Sequence, residues 1–232
     1  SLKNLSCHNS SLERLNVSGC SALKTLDCYQ SKLTSLDVSG CSALTKLRCN
    51  DNQLTSLDVS SCTALTDLNC SANSRTSLDV SGCTALEDLD CYTNKLTSLD
   101  LSRNTALIAL LCYNNELTSL NIGANTSIKS LNCRSNSLES LDISGCTALT
   151  SLYCYDNRLT SLDVSRNTAL KTLKCYNNRL TSLDLSRNAD ITDTDLSGNS
   201  FYIGEVTSSY DLRNLPGSFD SSRASDWQGA VC

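Results

Sequence analysis

A 21-residue period runs from Leu2 to Phe201 without an insertion or deletion, and no other feature of the chain restricts its fold as severely. Nine full copies begin at Leu2, Leu23, Leu44, Leu65, Leu86, Leu107, Ile128, Leu149 and Leu170, and a tenth, partial copy begins at Ile191. They are numbered here as coils 1 to 10. Each reads Leu-x-x-Leu-x-Cys-x-x-Asn-x-Leu-Thr-Ser-Leu-Asp-Val-Ser-x-Cys/Asn-Thr-Ala. A unit this short cannot bury its apolar face alone, so successive units must stack into one continuous core. Apolar residues alternate, as in Leu26-x-Cys28 and Leu36-x-Val38, and no ten-residue stretch follows a 3.6-residue period. That alternation belongs to strands with one buried face. Each coil therefore offers two short extended segments and two corners, and stacking at the strand spacing of about 4.8 Å gives a rod roughly 45–50 Å long. With 40 leucines against 11 aromatic residues, the core is built from one small side chain used repeatedly.

The first half of the unit, Leu-x-x-Leu-x-Cys-x-x-Asn, contains the leucine-rich-repeat pattern, and the second half, Leu-x-x-Leu-x-Val-x-x-Cys/Asn, states it again. Over residues 2 to 201 the chain resembles bacterial leucine-rich-repeat proteins with nested 21-residue repeats, the IRREKO type, of an internalin-like cell-surface kind. The resemblance implies a right-handed solenoid, usually on a secreted or surface protein, that binds a partner through one sheet face. It implies no particular ligand. The expected fold is a β-rich solenoid: a right-handed leucine-rich-repeat superhelix of about ten coils with two parallel sheets, little or no helix and gentle curvature, since neither wall carries helices.

Residues 1–201 form the expected solenoid. Beyond them Tyr202, Tyr210, Phe219 and Trp227 enter together with Pro216 and Gly217, so 202–232 is read as a cap over the last coil or the start of a following segment. Residues 211–219 and 224–227 also resemble the segment after such repeats in large cell-surface proteins of gut Firmicutes, which implies a natural chain continuing past Cys232. The start at Ser1, in mid-pattern, reads as a cut or processed end.

Each column of the repeat has its own chemistry. Asn52, Asn73, Asn94, Asn115, Asn136, Asn157, Asn178 and Asn199 recur at one corner, with Ser10 and Ser31 in the first two coils. An amide carries two donors and an acceptor, so this column can satisfy backbone groups that a buried corner would strand. At the other corner Cys20, Cys41, Cys62, Cys83 and Cys146 alternate with Asn104, Asn125, Asn167 and Asn188 as interchangeable closures. Nine further cysteines, Cys7, Cys28, Cys49, Cys70, Cys91, Cys112, Cys133, Cys154 and Cys175, share one strand column. No Cys-x-x-Cys spacing suggests zinc, and side chains projecting in parallel do not reach the disulfide torsion, so these are read as small buried hydrophobes. Cys232 stands outside both columns and is the candidate free thiol. So many reduced thiols ordinarily indicate the cytosol, but burial protects a thiol outside the cell as well. Asp37, Asp58, Asp79, Asp100, Asp142, Asp163 and Asp184 form an acidic column flanked by Ser and Thr, read as a solvated wall with calcium as the alternative. Arg75 takes the place of Leu33, Leu54 and Leu96, and a buried unpaired guanidinium is costly. That corner is expected to open or to let the side chain reach solvent.

A formal charge of −5 argues against nucleic acid and anionic lipid, and no run of about 18 apolar residues predicts membrane insertion. His8 is the only histidine, and the carboxylates fall on a flat wall rather than in a cleft, so no enzyme, cofactor or metal site is expected. Variation is concentrated on the first strand. Between Leu and Cys the residues run Ser6, Asp27, Arg48, Asn69, Asp90, Leu111, Asn132, Tyr153, Lys174; after Cys they run His8, Tyr29, Asn50, Ser71, Tyr92, Tyr113, Arg134, Tyr155, Tyr176. Tyr29, Tyr92, Leu111, Tyr113, Arg134, Tyr153, Tyr155 and Tyr176 are the expected binding residues, with an aromatic strip on coils 5 to 9 interrupted by Arg134. Tyr and Arg are enriched at binding hot spots. The expected partner is a protein, host or bacterial. Three alternatives stay open: a glycan ligand, tyrosines that only stack to shield the solenoid, and a passive stalk. The expected location is the bacterial surface or exterior, with the cytoplasm as the alternative.

Overall fold

The computed structural model describes residues 1–123 and 125–201, together with the backbone of the strand Val206–Ser208; the cap expected over 202–232 otherwise lies outside the described residues. The chain is a parallel β-solenoid of about nine turns with no helix among the described residues. One three-residue strand per coil, from Asn4–Ser6 to Asp193–Asp195, joins a single ten-stranded sheet in coil order. Register advances by one repeat at each step: Leu5 lies beside Leu26, Leu26 beside Leu47, and so on to Leu173 beside Thr194. The middle residue of each strand points inward, so the sheet carries its leucines on one face and its variable residues on the other.

The second wall is hydrogen-bonded in three two-stranded pieces: Arg14–Asn16 with Ser35–Asp37, Ser98–Asp100 with Ser119–Asn121, and Leu183–Leu185 with Val206–Ser208. Along this wall the N–H of Ser39, Ser60, Ser81, Ser102, Ser144, Ser165 and Ser186 donates to the carboxylate of the Asp two residues earlier, at 2.8–3.0 Å, in paired and unpaired coils alike.

Between the walls lies one core of stacked Leu, Val, Ile and Cys, most of it fully buried from Leu23 to Leu180. The strand-column thiols from Cys28 to Cys175 are buried and free, and the thiols of Cys7 and Cys20, both in coil 1, are partly exposed.

From coil 3 onward one amide per coil closes the first corner. In coil 6, Asn115 Oδ1 accepts from Leu96 N–H at 3.0 Å, and its Nδ2 donates to the carbonyls of Cys91, Cys112 and Tyr113 at 3.1–3.3 Å. The eight asparagines from Asn52 to Asn199 each accept from the N–H 19 residues earlier and donate across two coils in the same way. The second corner bears out the interchange of Cys and Asn. Cys41 Sγ donates to Val17 O at 3.3 Å, and Asn104 Nδ2 donates to the equivalent carbonyl of Val80 at 2.9 Å. The two differ in what they leave behind: the Oδ1 atoms of Asn104, Asn125, Asn167 and Asn188 are buried without a partner among the described residues.

The sequence pattern did not reveal a left-handed residue in every complete coil. Asn9, Gln30, Asp51, Ala72, Thr93, Asn114, Ser135, Asp156 and Asn177 have φ between 47° and 54°. Only some are of the Asn or Asp type that tolerates this region, so the tertiary hydrogen bonds impose it on Thr93 and Gln30.

Replacing Asn115 by Ala would leave the Leu96 N–H unpaired at a closed corner and remove one of the two bonds made to each of the Cys91, Cys112 and Tyr113 carbonyls. It is expected to destabilise the solenoid by at least about 2 kcal/mol in urea unfolding. Asn104→Cys keeps the donor and removes the orphaned oxygen, and should change stability by less than about 1 kcal/mol.

Candidate binding face

The variable face of the ten-stranded sheet is built by the same corner that closes the coil. After each ladder cysteine comes the variable residue, then the left-handed residue, then the ladder Asn. The N–H of left-handed Thr93 donates to Tyr113 O at 3.0 Å, that of Asn114 to Arg134 O at 3.2 Å, and that of Ser135 to Tyr155 O at 3.0 Å. Each of those carbonyls also receives the amide of its own ladder Asn, at 3.2–3.3 Å. From coil 3 onward the backbone under each side chain of this column is therefore pinned twice, at the pitch of the sheet.

At that pitch, aromatic rings stack. Tyr92 and Tyr113 lie 4.4 Å apart between centroids and 5° from parallel, and Tyr155 and Tyr176 lie 4.1 Å apart at 14°. Arg134 does not interrupt the strip as the sequence suggested. Its guanidinium carbon sits 4.3 Å from the Tyr113 ring centre and 5.5 Å from that of Tyr155, and it donates to the Tyr155 hydroxyl. Tyr92, Tyr113, Arg134, Tyr155 and Tyr176 thus form one unbroken half-buried stack across coils 5 to 9. Burial and the neighbouring Tyr92 raise the Tyr113 hydroxyl above its ordinary value; burial and contact with Tyr155 push Tyr176 up to about 12.

Other expected residues stand apart. Leu111 and Tyr153 occupy the adjacent column, with Asn132 between them in register. Tyr29 belongs to a separate pair, stacked on His8 at 4.5 Å, with Asn50 and Ser71 between it and Tyr92 in the column.

One feature was missed by reading columns one at a time. Asp67, Asp88 and Asp90 come together on neighbouring strands beside the Tyr92 end of the strip, with Asp67 bonded to Lys46. Burial, then Asp67 and Asp88, push the Asp90 carboxyl up to about 6. On the opposite wall the serine N–H and hydroxyl groups hold Asp37, Asp58, Asp79, Asp100, Asp142 and Asp163 below the usual carboxylate range. Among the described residues, no group of three or more His, Cys, Asp or Glu side chains is arranged to hold a metal ion, and no helix is long and apolar enough to cross a membrane.

A leucine-rich-repeat family model matches residues 176–198. The functional domain of InlJ from Listeria monocytogenes, which includes a cysteine ladder, is 36% identical over 87% of this chain and 50% of its own, with a TM-score of 0.70. The shared feature is visible here as the thiol column running from Cys7 to Cys175. The chain is an internalin-like leucine-rich-repeat protein. A leucine-rich-repeat protein of Leptospira interrogans is 26% identical over 81% of this chain and 54% of its own, with a TM-score of 0.72. The L. monocytogenes internalin InlF shares the fold at 18% identity, covering 89% of this chain and 66% of its own, with a TM-score of 0.74. This leucine-rich-repeat chain spans about half the length of the first two. No curated protein matches it. Leucine-rich repeats of this kind are typically modules for protein–protein interaction and generally non-enzymatic scaffolds, often on surface or secreted proteins.

The Asp90 carboxyl binds a proton more tightly in the folded than in the unfolded chain. Its contribution is most favourable below about pH 4 and is lost as pH rises through about 6. Asp90→Asn is expected to remove that loss, leaving a protein more stable than the wild type at pH 7 and no more stable at pH 4, as measured by urea midpoints.

Proposed function

We propose that this protein is a non-enzymatic binding module that recognises a protein ligand through the sheet face of coils 5 to 9. The observation that carries this reading is the Tyr92–Tyr113–Arg134–Tyr155–Tyr176 stack on the one face whose residues vary from coil to coil. Rigid tyrosines lose little side-chain entropy on binding, and Arg and Tyr concentrate binding energy where they are desolvated. Leu111 and Tyr153 in the adjacent column, and exposed Ile108 at its edge, widen the patch beyond a single row.

The stacking also bears on the kind of ligand. Sugar rings bind aromatic side chains through their faces, and within this strip each ring has a face against its neighbour. What it presents to a partner is mainly ring edges, hydroxyls and a guanidinium, which suit a protein surface better than a glycan. Stacking and recognition are compatible roles, because the stack holds its members rigid before the partner arrives. The ligand is host or bacterial, and the setting is a secreted or surface protein. Neither nucleic acid nor membrane insertion enters this reading.

The test is to screen the purified solenoid against arrayed extracellular proteins and measure affinities for those that bind. Replacing Tyr113 and Tyr155 by Ala should weaken binding by about 2 kcal/mol or more, while Asp100→Ala and Asp142→Ala on the other wall leave it unchanged. Loss of fold stability with affinity retained would reduce the tyrosines to a shielding role. Quenching of tyrosine fluorescence by soluble surface polysaccharides, with no protein bound, would favour the glycan. No ligand of either class would leave the stalk.

A further inference from the structure

The variable face carries a charge pattern that the tyrosine stack does not use. Coil 5 presents the acids Glu87, Asp88 and Asp90, and coil 9 presents Lys171 and Lys174. Among the described residues the ion pairs are Lys46–Asp67, Arg48–Asp27 and Lys174–Asp193, so the three acids of coil 5 have no base of their own. Register puts Asp90, Leu111, Asn132, Tyr153 and Lys174 side by side in one column, from acid to base with an amide at the centre and an apolar group on each side of it. Glu87 and Lys171 stand at the same two ends of the column just before the strand, where successive backbones are bonded at each step. One end of this face is therefore the complement of the other, about a centre at coil 7.

Building on the reading of this face as protein-binding, we propose that its occupant is a second copy of the chain, docked antiparallel across a two-fold axis through coil 7. With that axis parallel to the strands, each column faces itself and the order of coils reverses. Glu87 meets Lys171 of the second copy, Asp90 meets Lys174, Leu111 meets Tyr153 and Tyr113 meets Tyr155, every pair occurring twice. An axis along the stack of coils would instead set the acids of coil 5 against themselves, which costs affinity. Like charges come together at two places in the favoured arrangement, and both are moderated. On the axis, Arg134 is already spread over the Tyr113 and Tyr155 rings, and exposed Lys129 keeps its ammonium in solvent. At the edge, Asp67 would meet Asp193 of the second copy, and each is bonded to its own lysine. Five strands at about 4.8 Å and seven extended residues at about 3.3 Å give a footprint of roughly 24 by 23 Å, the size of a small specific interface and suited to a reversible dimer.

Sedimentation of the full chain over a hundredfold concentration range should show a monomer–dimer equilibrium. Glu87→Lys and Lys171→Glu alter two exposed side chains and should leave the fold intact. Each alone sets like charges opposite one another twice, and should weaken dimerisation at least tenfold. An equimolar mixture of the two variants restores an acid and a base at both places and should form heterodimers about as well as the wild type. A monomer at every concentration, a dimer indifferent to either reversal, or a mixture no better than its components would overturn the proposal. None of these outcomes decides whether the face also takes another protein; that reading fails on a different result, when Tyr113→Ala and Tyr155→Ala cost no affinity for an arrayed ligand.

Discussion

The solenoid depends on how a chain can turn a sharp corner every half coil without stranding its own backbone. The ladder asparagine solves this at the first corner by bonding across two coils at once: it accepts from an N–H 19 residues back and donates to a carbonyl 24 residues back, as Asn52 does with Leu33 and Cys28. Among the described residues the N–H finds no partner within its own coil, although from coil 3 onward the Cys carbonyl also takes the amide of its own coil's Asn. A coil is therefore closed only when its neighbour is present, which makes stability a matter of interfaces between repeats rather than of repeats. The leucine core supplies the driving force, but Leu side chains alone would accept many registers. The amides accept one.

The same device places the candidate binding residues. A left-handed residue sits between each rim side chain and its ladder Asn, and its N–H holds the rim carbonyl of the next coil. Side chains in this column are consequently spaced by the backbone ladder. Adjacent tyrosines then have little choice but to stack, and a guanidinium in the series fits between rings as another flat group. The face is rigid for reasons internal to the scaffold, and what varies is only the chemistry mounted on it.

The two corners use different atoms for the same purpose, and the difference bears on the thiols. A corner Cys donates one weak hydrogen bond and leaves nothing unsatisfied, whereas a corner Asn donates two stronger ones and leaves a buried oxygen without a partner. These opposing merits account for the mixture of both within one chain. In the strand column, by contrast, Cys is small enough to stack nine times beneath the rim. Arg75 breaks the uniformity by burying a fixed charge in a column of thiols that burial raises above their ordinary range.

The sequence alone determined the period, the number of coils, the alternation that turns Leu and Cys inward, the structural role of the asparagines and the face on which variation collects. All of these follow from patterns repeated many times over, and a repeated pattern in a stacked fold has one consistent solution. Only the tertiary structure decided matters that depend on one neighbour in the next coil. It showed that Arg134 continues the aromatic strip, because two rings at sheet spacing leave a slot for a planar cation. It set Tyr29 apart with His8 and gathered Asp67, Asp88 and Asp90. It imposed left-handed backbone on Thr93 and Gln30, which their residue types disfavour. Above all it kept Arg75 inside, where a leucine-shaped site between two rigid coils holds the backbone more firmly than one buried charge can displace it.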